Sequence, residues 1–334
     1  MWAAPYCTDF QHIYRVACES MTCHRPHAAA TSRIGQRSQC PSIWQTGDVE
    51  WTPGGISNDI EDRRDESGGG GGFGFGGFHI GCGGLIILGI LSLVFHRNLF
   101  TLLSTDSGAP TVQSRPDYAQ DQREQPEVQF VSFVLDDVQN TWSRILPEAG
   151  GVPYRRAKLV LFRDAFPSGC GLARDAIGPF YCPEDQKVYL DLSFFDELRS
   201  RFRASGEFAQ AYVIAHELGH HVQDLLGTLP KVHRLEQTRP DQANPLSVRL
   251  ELQADCYAGI WGHTTAQRKM VDQSDVQSAL NAAAAVGDDR LQRMATGRVS
   301  PETFTHGTSS QRVHWFTRGF ESGDLSACDT FQRR

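Results

Sequence analysis

A chain of 334 residues, 40% hydrophobic and 21% charged, has ordinary globular composition and is long enough for one sizeable core with appendages. Its formal net charge of -7 leaves no basic stripe of the kind that neutralises phosphates, so nucleic acid is not expected as a partner.

Residues 1–48 carry Cys7, Cys18, Cys23 and Cys40 but show neither helical periodicity nor strand alternation, and a zinc ribbon would need paired C-x-x-C knuckles that are missing. They are expected to be a non-native or disordered extension, with translation starting at Val49. Residues 49–77 end in the run "SGGGGGFGFGG", which cannot hold a packed core because glycine buries nothing and loses much backbone entropy.

Residues 78–100 follow, with the uncharged stretch "IGCGGLIILGILSLVF" at their centre. A buried core helix or a signal-peptide segment would read similarly. Its place between polyglycine and a polar linker favours a transmembrane anchor. Arg63 and Arg64 before it, against Arg97 after it, put the N-terminal side in the cytoplasm by the positive-inside rule. The expectation is a single-pass membrane protein held in the lipid bilayer, with its main domain on the periplasmic or extracellular face. Residues 101–126 are polar with several prolines and read as a linker, so the folded domain is expected over 127–334.

Cys170, Cys182, Cys256 and Cys328 follow the anchor, an even number that suits two disulfides in an oxidising compartment. Cys170 with Cys182 and Cys256 with Cys328 is the simplest pairing; four reduced buried thiols is the other reading.

Within the domain, Val131, Val134, Leu135, Val138, Trp142 and Ile145 recur at helical spacing. "AKLVLF" (157–162) and "KVYLDL" (187–192) read as strands, expected to be antiparallel around the Cys170 to Cys182 loop. Helices are expected near 193–204, 207–226, 247–263, 274–286 and 309–321. This order of helix, small sheet and helices makes the fold class α+β, mainly helical, preceded by one transmembrane helix.

The segment "AHELGHHVQD" places His216 and His220 one turn apart on one helix face with Glu217 beside the first. Two imidazoles so placed can share one Zn2+, and a carboxylate one residue round can take a proton from a water on that metal. The bland alternative is a pair of hydrogen-bonded core histidines, which fits poorly among so many apolar neighbours. A third ligand is required. In "SVRLELQADCYAGIWGH", Glu251 and Asp255 are one turn apart; Glu251 is assigned to the metal and Asp255 to the far nitrogen of His216, with the reverse assignment left open. Cys256 projects about 140° from Glu251 on a helix and is not expected to be a ligand.

"HELGHHVQ", "ELQADCYAGIW", "GPFYCPEDQKVYLDLSFFDEL", "EDRR" and "THGTSSQR" together resemble the bacterial neutral zinc metallopeptidases, over about Glu50 to Phe331. The Glu-x-x-x-Asp pattern is similar to that of gluzincins, in which the glutamate binds zinc and the aspartate orients the first histidine. The resemblance implies a zincin-like domain that hydrolyses peptide bonds in peptide or protein substrates, with Glu217 as general base. His306, before a helix start with Thr308 and Gln311 spaced as a capping box, is the candidate to stabilise the oxyanion or protonate the leaving amine; a surface-loop histidine is the alternative. His221, His233, His263 and His314 are left as structural, and "KVYLDL" is the candidate edge for pairing with an extended substrate. The competing function is a zinc-stabilised binding or scaffold protein of the cell envelope. Glu217 discriminates, because a structural zinc site has no use for an acid beside it.

Overall fold

The computed structural model describes residues 49–66, 118–174, 178–200 and 206–332. The extension 1–48, the glycine run and the expected anchor at 78–100 lie outside the described residues. Among the described residues no helix is long and apolar enough to cross a membrane.

The fold is α+β, mainly helical with a small sheet. The first described segment, residues 49–66, contributes strand β1 (Ile60–Asp62). Helix α1 spans Tyr118–Ile145, so it starts earlier than the expected boundary at Glu127 and runs through Pro126. Proline removes one ladder hydrogen bond there. Charge offsets the loss: Arg163 donates to Asp121 and Glu124 at 2.6 Å each, and Arg64 to Glu124 at 2.7 Å. The expected apolar face of α1 is buried, with Val131, Leu135, Val138 and Trp142 all fully covered.

Strands β2 (Lys158–Phe162), β3 (Ala165–Ser168), β4 (Gly171–Arg174), β5 (Phe180–Cys182) and β6 (Lys187–Asp191) follow. The four-stranded sheet has the order β1-β2-β6-β5. Strands β2 and β6 are parallel, Leu159 opposite Val188, which corrects the antiparallel pairing expected from sequence. The reason lies in the connection: β5 and β6 form an antiparallel hairpin, so β6 runs back along β2 after the separate β3–β4 hairpin. Both cysteine pairs, Cys170–Cys182 and Cys256–Cys328, are bonded.

The segment 49–66 is part of this domain. Strand β1 pairs in parallel with β2, Ile60 opposite Leu159, and α1 is the crossover such a parallel pair needs. Asp59 accepts from Lys158 at 2.9 Å, from Gln139 at 3.2 Å and from Arg156. Its own burial opposes ionisation, but Arg156 and Lys158 outweigh it and hold the carboxyl below its ordinary value, as Arg64 does for Asp62. A carboxylate depressed in the fold contributes stability above its unfolded pKa, which is lost as pH falls through the lower folded value. Docking of residues 49–66 is therefore expected to weaken below about pH 3.8. Pepsin should cut within this segment at pH 2.5 and not at pH 4.5, and equal resistance at both values would contradict the assignment.

After β6 the chain is helical: α2 (Ser193–Ser200), α3 (Glu207–Leu225), α4 (Thr228–Thr238), α5 (Ala243–Gln267), α6 (Gln273–Ala285), α7 (Asp288–Thr296) and α8 (Ser309–Ser322). Helices α4 and α7 have no counterpart in the sequence reading. Pro230 masks α4, although it sits in the first turn, where its missing N–H costs nothing. Helix α7 is nine residues long and buries only Asp288 and Gln292, and Leu291 and Met294 are too few large apolar side chains to mark it in the sequence.

Three glycines set how closely the helices meet. A Cβ on Gly219 of α3 would lie 3.0 Å from the Ala254 carbonyl oxygen of α5, and on Gly259 of α5 2.1 Å from that of Phe316. On Gly319 of α8 it would lie 1.9 Å from the Cys256 oxygen. Helix α5 is thus clasped between α3 and α8 at nearly backbone contact. Gly319→Ala gains about 1 kcal/mol of helix propensity but forces the two helices apart, and overpacking costs about 1–3 kcal/mol or more. A net fall in the denaturation midpoint is expected; an unchanged midpoint would show that the helices are not so close.

Candidate metal centre

Helix α3 buries Ala215, Leu218 and Val222 in the core and turns His216, Glu217 and His220 toward a cleft of about 460 Å³. Because Gly219 lets α5 lie against this turn, Glu251 arrives opposite both imidazoles. His216 Nε2 is 3.2 Å from Glu251 Oε2, and His220 Nε2 is 3.5 Å from Glu251 Oε1. One ligand atom from each of the three residues falls within 4.8 Å of the others. Ligands held tetrahedrally at zinc distances stand about 3.3 Å apart, so this spacing suits a single Zn2+.

The far nitrogens agree. His216 Nδ1 donates to Asp255 at 3.0 Å, the role expected for Asp255, and His220 Nδ1 donates to the Gln223 side-chain oxygen at 2.9 Å. Gln223 is fully buried and itself donates to the Leu250 carbonyl at 2.7 Å. With Nδ1 committed to these acceptors, each histidine is left to bind a metal through Nε2, the atom that faces Glu251.

Asp255 has no solvent exposure and accepts from four donors: His216, Tyr212 at 2.5 Å, and Arg312 through Nε at 2.8 Å and Nη2 at 2.9 Å. Burial opposes its ionisation, but Arg312 and His216 outweigh it and hold its pKa below the ordinary value. Glu251 is held well below the usual carboxylate range, its burial overcome by His220 and His216. The same pairing, against burial, pushes His216 up to about 9. The cluster is built to hold a positive charge between its carboxylates, and a metal would displace that proton.

Glu217 is buried, and burial raises its pKa against the pull of His216 and His220. On the far wall of the cleft stands His306, whose side chain keeps 40% of its surface open. Its Nδ1 meets Asp288 Oδ1 at 3.1 Å, while Asp288 Oδ2 accepts the backbone N–H groups of Thr305, His306 and Gly307 at 2.8, 2.6 and 3.0 Å. Asp288 thus fixes both the loop and the ring. Burial lowers the pKa of His306 and Asp288 raises it, with a net rise. The capping box of Thr308 and Gln311 forms as expected and starts α8 at this point.

Four residues of the site escaped the sequence reading: Tyr212, Gln223, Asp288 and Arg312. Arg312 left a trace, since it shares a buried helix face with Phe316 and Gly319, where an unpaired arginine would not be tolerated. Of the histidines left as structural, His221 is buried between the Tyr181 hydroxyl and the Arg155 carbonyl, and His263 bonds the Phe320 carbonyl. His233, by contrast, lines the cleft. Cys256 is occupied by its disulfide. "KVYLDL" is not a free edge: it forms β6, enclosed between β2 and β5. The edge strand at the cleft is β5, which contributes Phe180 and Tyr181 to its lining.

Comparison with known proteins agrees with this geometry. The chain is 46% identical over 286 residues to "Uncharacterized protein YpfJ" of Escherichia coli strain K12, covering 85% of this chain and 99% of that protein. It is 45% identical over 207 residues to "Uncharacterized protein Rv2575" of Mycobacterium tuberculosis strain H37Rv, covering 59% of this chain and 68% of that protein. No solved structure matches. A family model described as "Putative neutral zinc metallopeptidase" matches residues 49–331, and the chain belongs to that family, with Zn2+ as the ion its two histidines and glutamate suit.

Proposed function

We propose that this protein is a zinc-dependent endopeptidase in which His216, His220 and Glu251 hold the metal and Glu217 is the general base. The observation that carries the reading is Glu217 itself: a buried acid beside three converging ligands, facing an open cleft. Zinc at this site supplies Lewis acidity and a nucleophile at neutral pH. Glu217 takes the proton from the attacking water, and its raised pKa brings it closer to the operating pH, where a general base is most effective. It then returns the proton to the leaving amine. His306, oriented by Asp288, is placed to stabilise charge that develops on the carbonyl oxygen, and Arg312 supports Asp255 from behind. Strand β5, at the edge of the four-stranded sheet among the described residues, is placed to pair with an extended substrate backbone, a mode that gives little side-chain selection. The two disulfides support a working place outside the cytoplasm.

The test is digestion of an unfolded protein by the zinc-loaded full chain. Internal cleavage is expected, abolished by chelation and restored by added zinc. A scaffold that merely contains zinc would bind the ion and yield no new peptides.

A further inference from the structure

We infer that Glu236 is a specificity-determining residue: it receives a positively charged group of the substrate, an ammonium or guanidinium, inside the cleft that holds the metal centre. Resting on the peptidase reading above, this names the substrate class that the metal centre leaves open.

Helix α4 forms one wall of the cleft. Gly227, at φ 75°, takes the left-handed conformation that glycine adopts without strain, and there the chain turns from α3 into α4. Leu229, His233 and Glu236 then recur at spacings of four and three, one face of a helix. All three line the same cleft as His216, His220 and Glu251.

Among the described residues, every other charged group of that lining is engaged. His216, His220 and Glu251 converge as metal ligands with Glu217 beside them, Arg312 is bound to Asp255 at 2.8 Å, and His306 to Asp288 at 3.1 Å. Partial burial lowers the pKa of His233, so it is neutral at neutral pH and supplies no counter-charge. Glu236 accepts no hydrogen bond and joins no ion pair among the described residues. It is half-buried, and burial alone raises its pKa, with no neighbouring charge acting on it.

A carboxylate so placed loses hydration without gaining a counter-ion. A cation brought in by the substrate offsets that cost and adds a charge-assisted hydrogen bond. A neutral side chain of the same length would cover the carboxylate and leave it unpaired, which is the situation in which a site discriminates most strongly. The rest of the lining suits the stem of a basic side chain: Phe180, Val213, Leu229 and Leu250 offer apolar surface to the methylene groups of lysine or arginine.

The test uses the zinc-loaded full chain and short acetylated peptides of one sequence, in which a single lysine is moved through every position, with norleucine as its neutral counterpart. Binding is measured in the Glu217→Gln background, so that the peptides survive the measurement. Lysine at one position is expected to bind about 10-fold more tightly than norleucine, the usual worth of a hydrogen bond to a charged group. Glu236→Gln, which keeps the side-chain shape, should erase that ratio, and Glu236→Lys should reverse it in favour of glutamate. Unacetylated peptides separate the two sources of the cation: a gain on freeing the amine that Glu236→Gln removes would assign Glu236 to the substrate N-terminus. Equal affinity for lysine and norleucine at every position, with no gain from a free amine, overturns the inference, and so does a preference that survives Glu236→Gln. Binding with the expected preference but no cleavage by the chain that retains Glu217 would remove the peptidase and leave the cation site. Cleavage without preference would do the opposite.

Discussion

Glu217→Gln is expected to lower the rate of peptide hydrolysis by about 10²- to 10⁴-fold, the usual contribution of a positioned general base, while about one zinc ion per chain remains bound. The substitution keeps the shape of the side chain and removes its proton affinity. Glu217 is not one of the three converging ligand residues, so the metal has no reason to leave. Burial already disfavours charge on this carboxyl, and the neutral amide should be tolerated without loss of stability. Mutant activity within a factor of two of wild type would remove Glu217 from the chemistry, whatever the metal content.

Asp255→Asn is expected to have the larger effect on the protein itself. The neutral amide cannot accept from Tyr212, His216 and both nitrogens of Arg312 at once, and a guanidinium only 4% exposed loses its nearest counter-charge, with Glu251 left at 3.9 Å. Removing one partner of a buried ion pair costs about 3–5 kcal/mol, because the other charge is left uncompensated. Zinc affinity should fall by about 10- to 100-fold, since His216 loses the acceptor that fixes its tautomer. The double change Asp255→Asn with Arg312→Met should recover part of the lost stability without recovering zinc affinity. Additive losses in the double variant would mean that Asp255 and Arg312 do not act as a pair.

How much of this could be read beforehand follows from the range of each signal. His216, Glu217, His220, Glu251 and Asp255 lie on helices whose period is written locally, and the structure brings all five together. Gln223, Tyr212 and Arg312 contribute through contacts between α3, α5 and α8, and no short-range pattern announces a partner 96 or 100 positions away. Strand β1 was invisible because "IED" is too short to show alternation. It nevertheless ties residues 49–66 to the main domain, since pairing with β2 is a tertiary fact. The parallel course of β2 and β6 was hidden similarly, behind a hairpin whose place in the sheet depends on the whole chain. The three glycines at the α5 crossings were printed in the sequence, yet only the packed helices reveal that each stands where a methyl group would strike backbone.

The most direct measurement of the central claim is anomalous diffraction at the zinc absorption edge from crystals of the zinc-loaded protein. A single peak is expected about 2.0–2.2 Å from the Nε2 atoms of His216 and His220 and from a carboxylate oxygen of Glu251. A zinc peak elsewhere in the molecule, or one at the two histidines with Glu251 out of bonding reach and no other acid replacing it, would contradict the account.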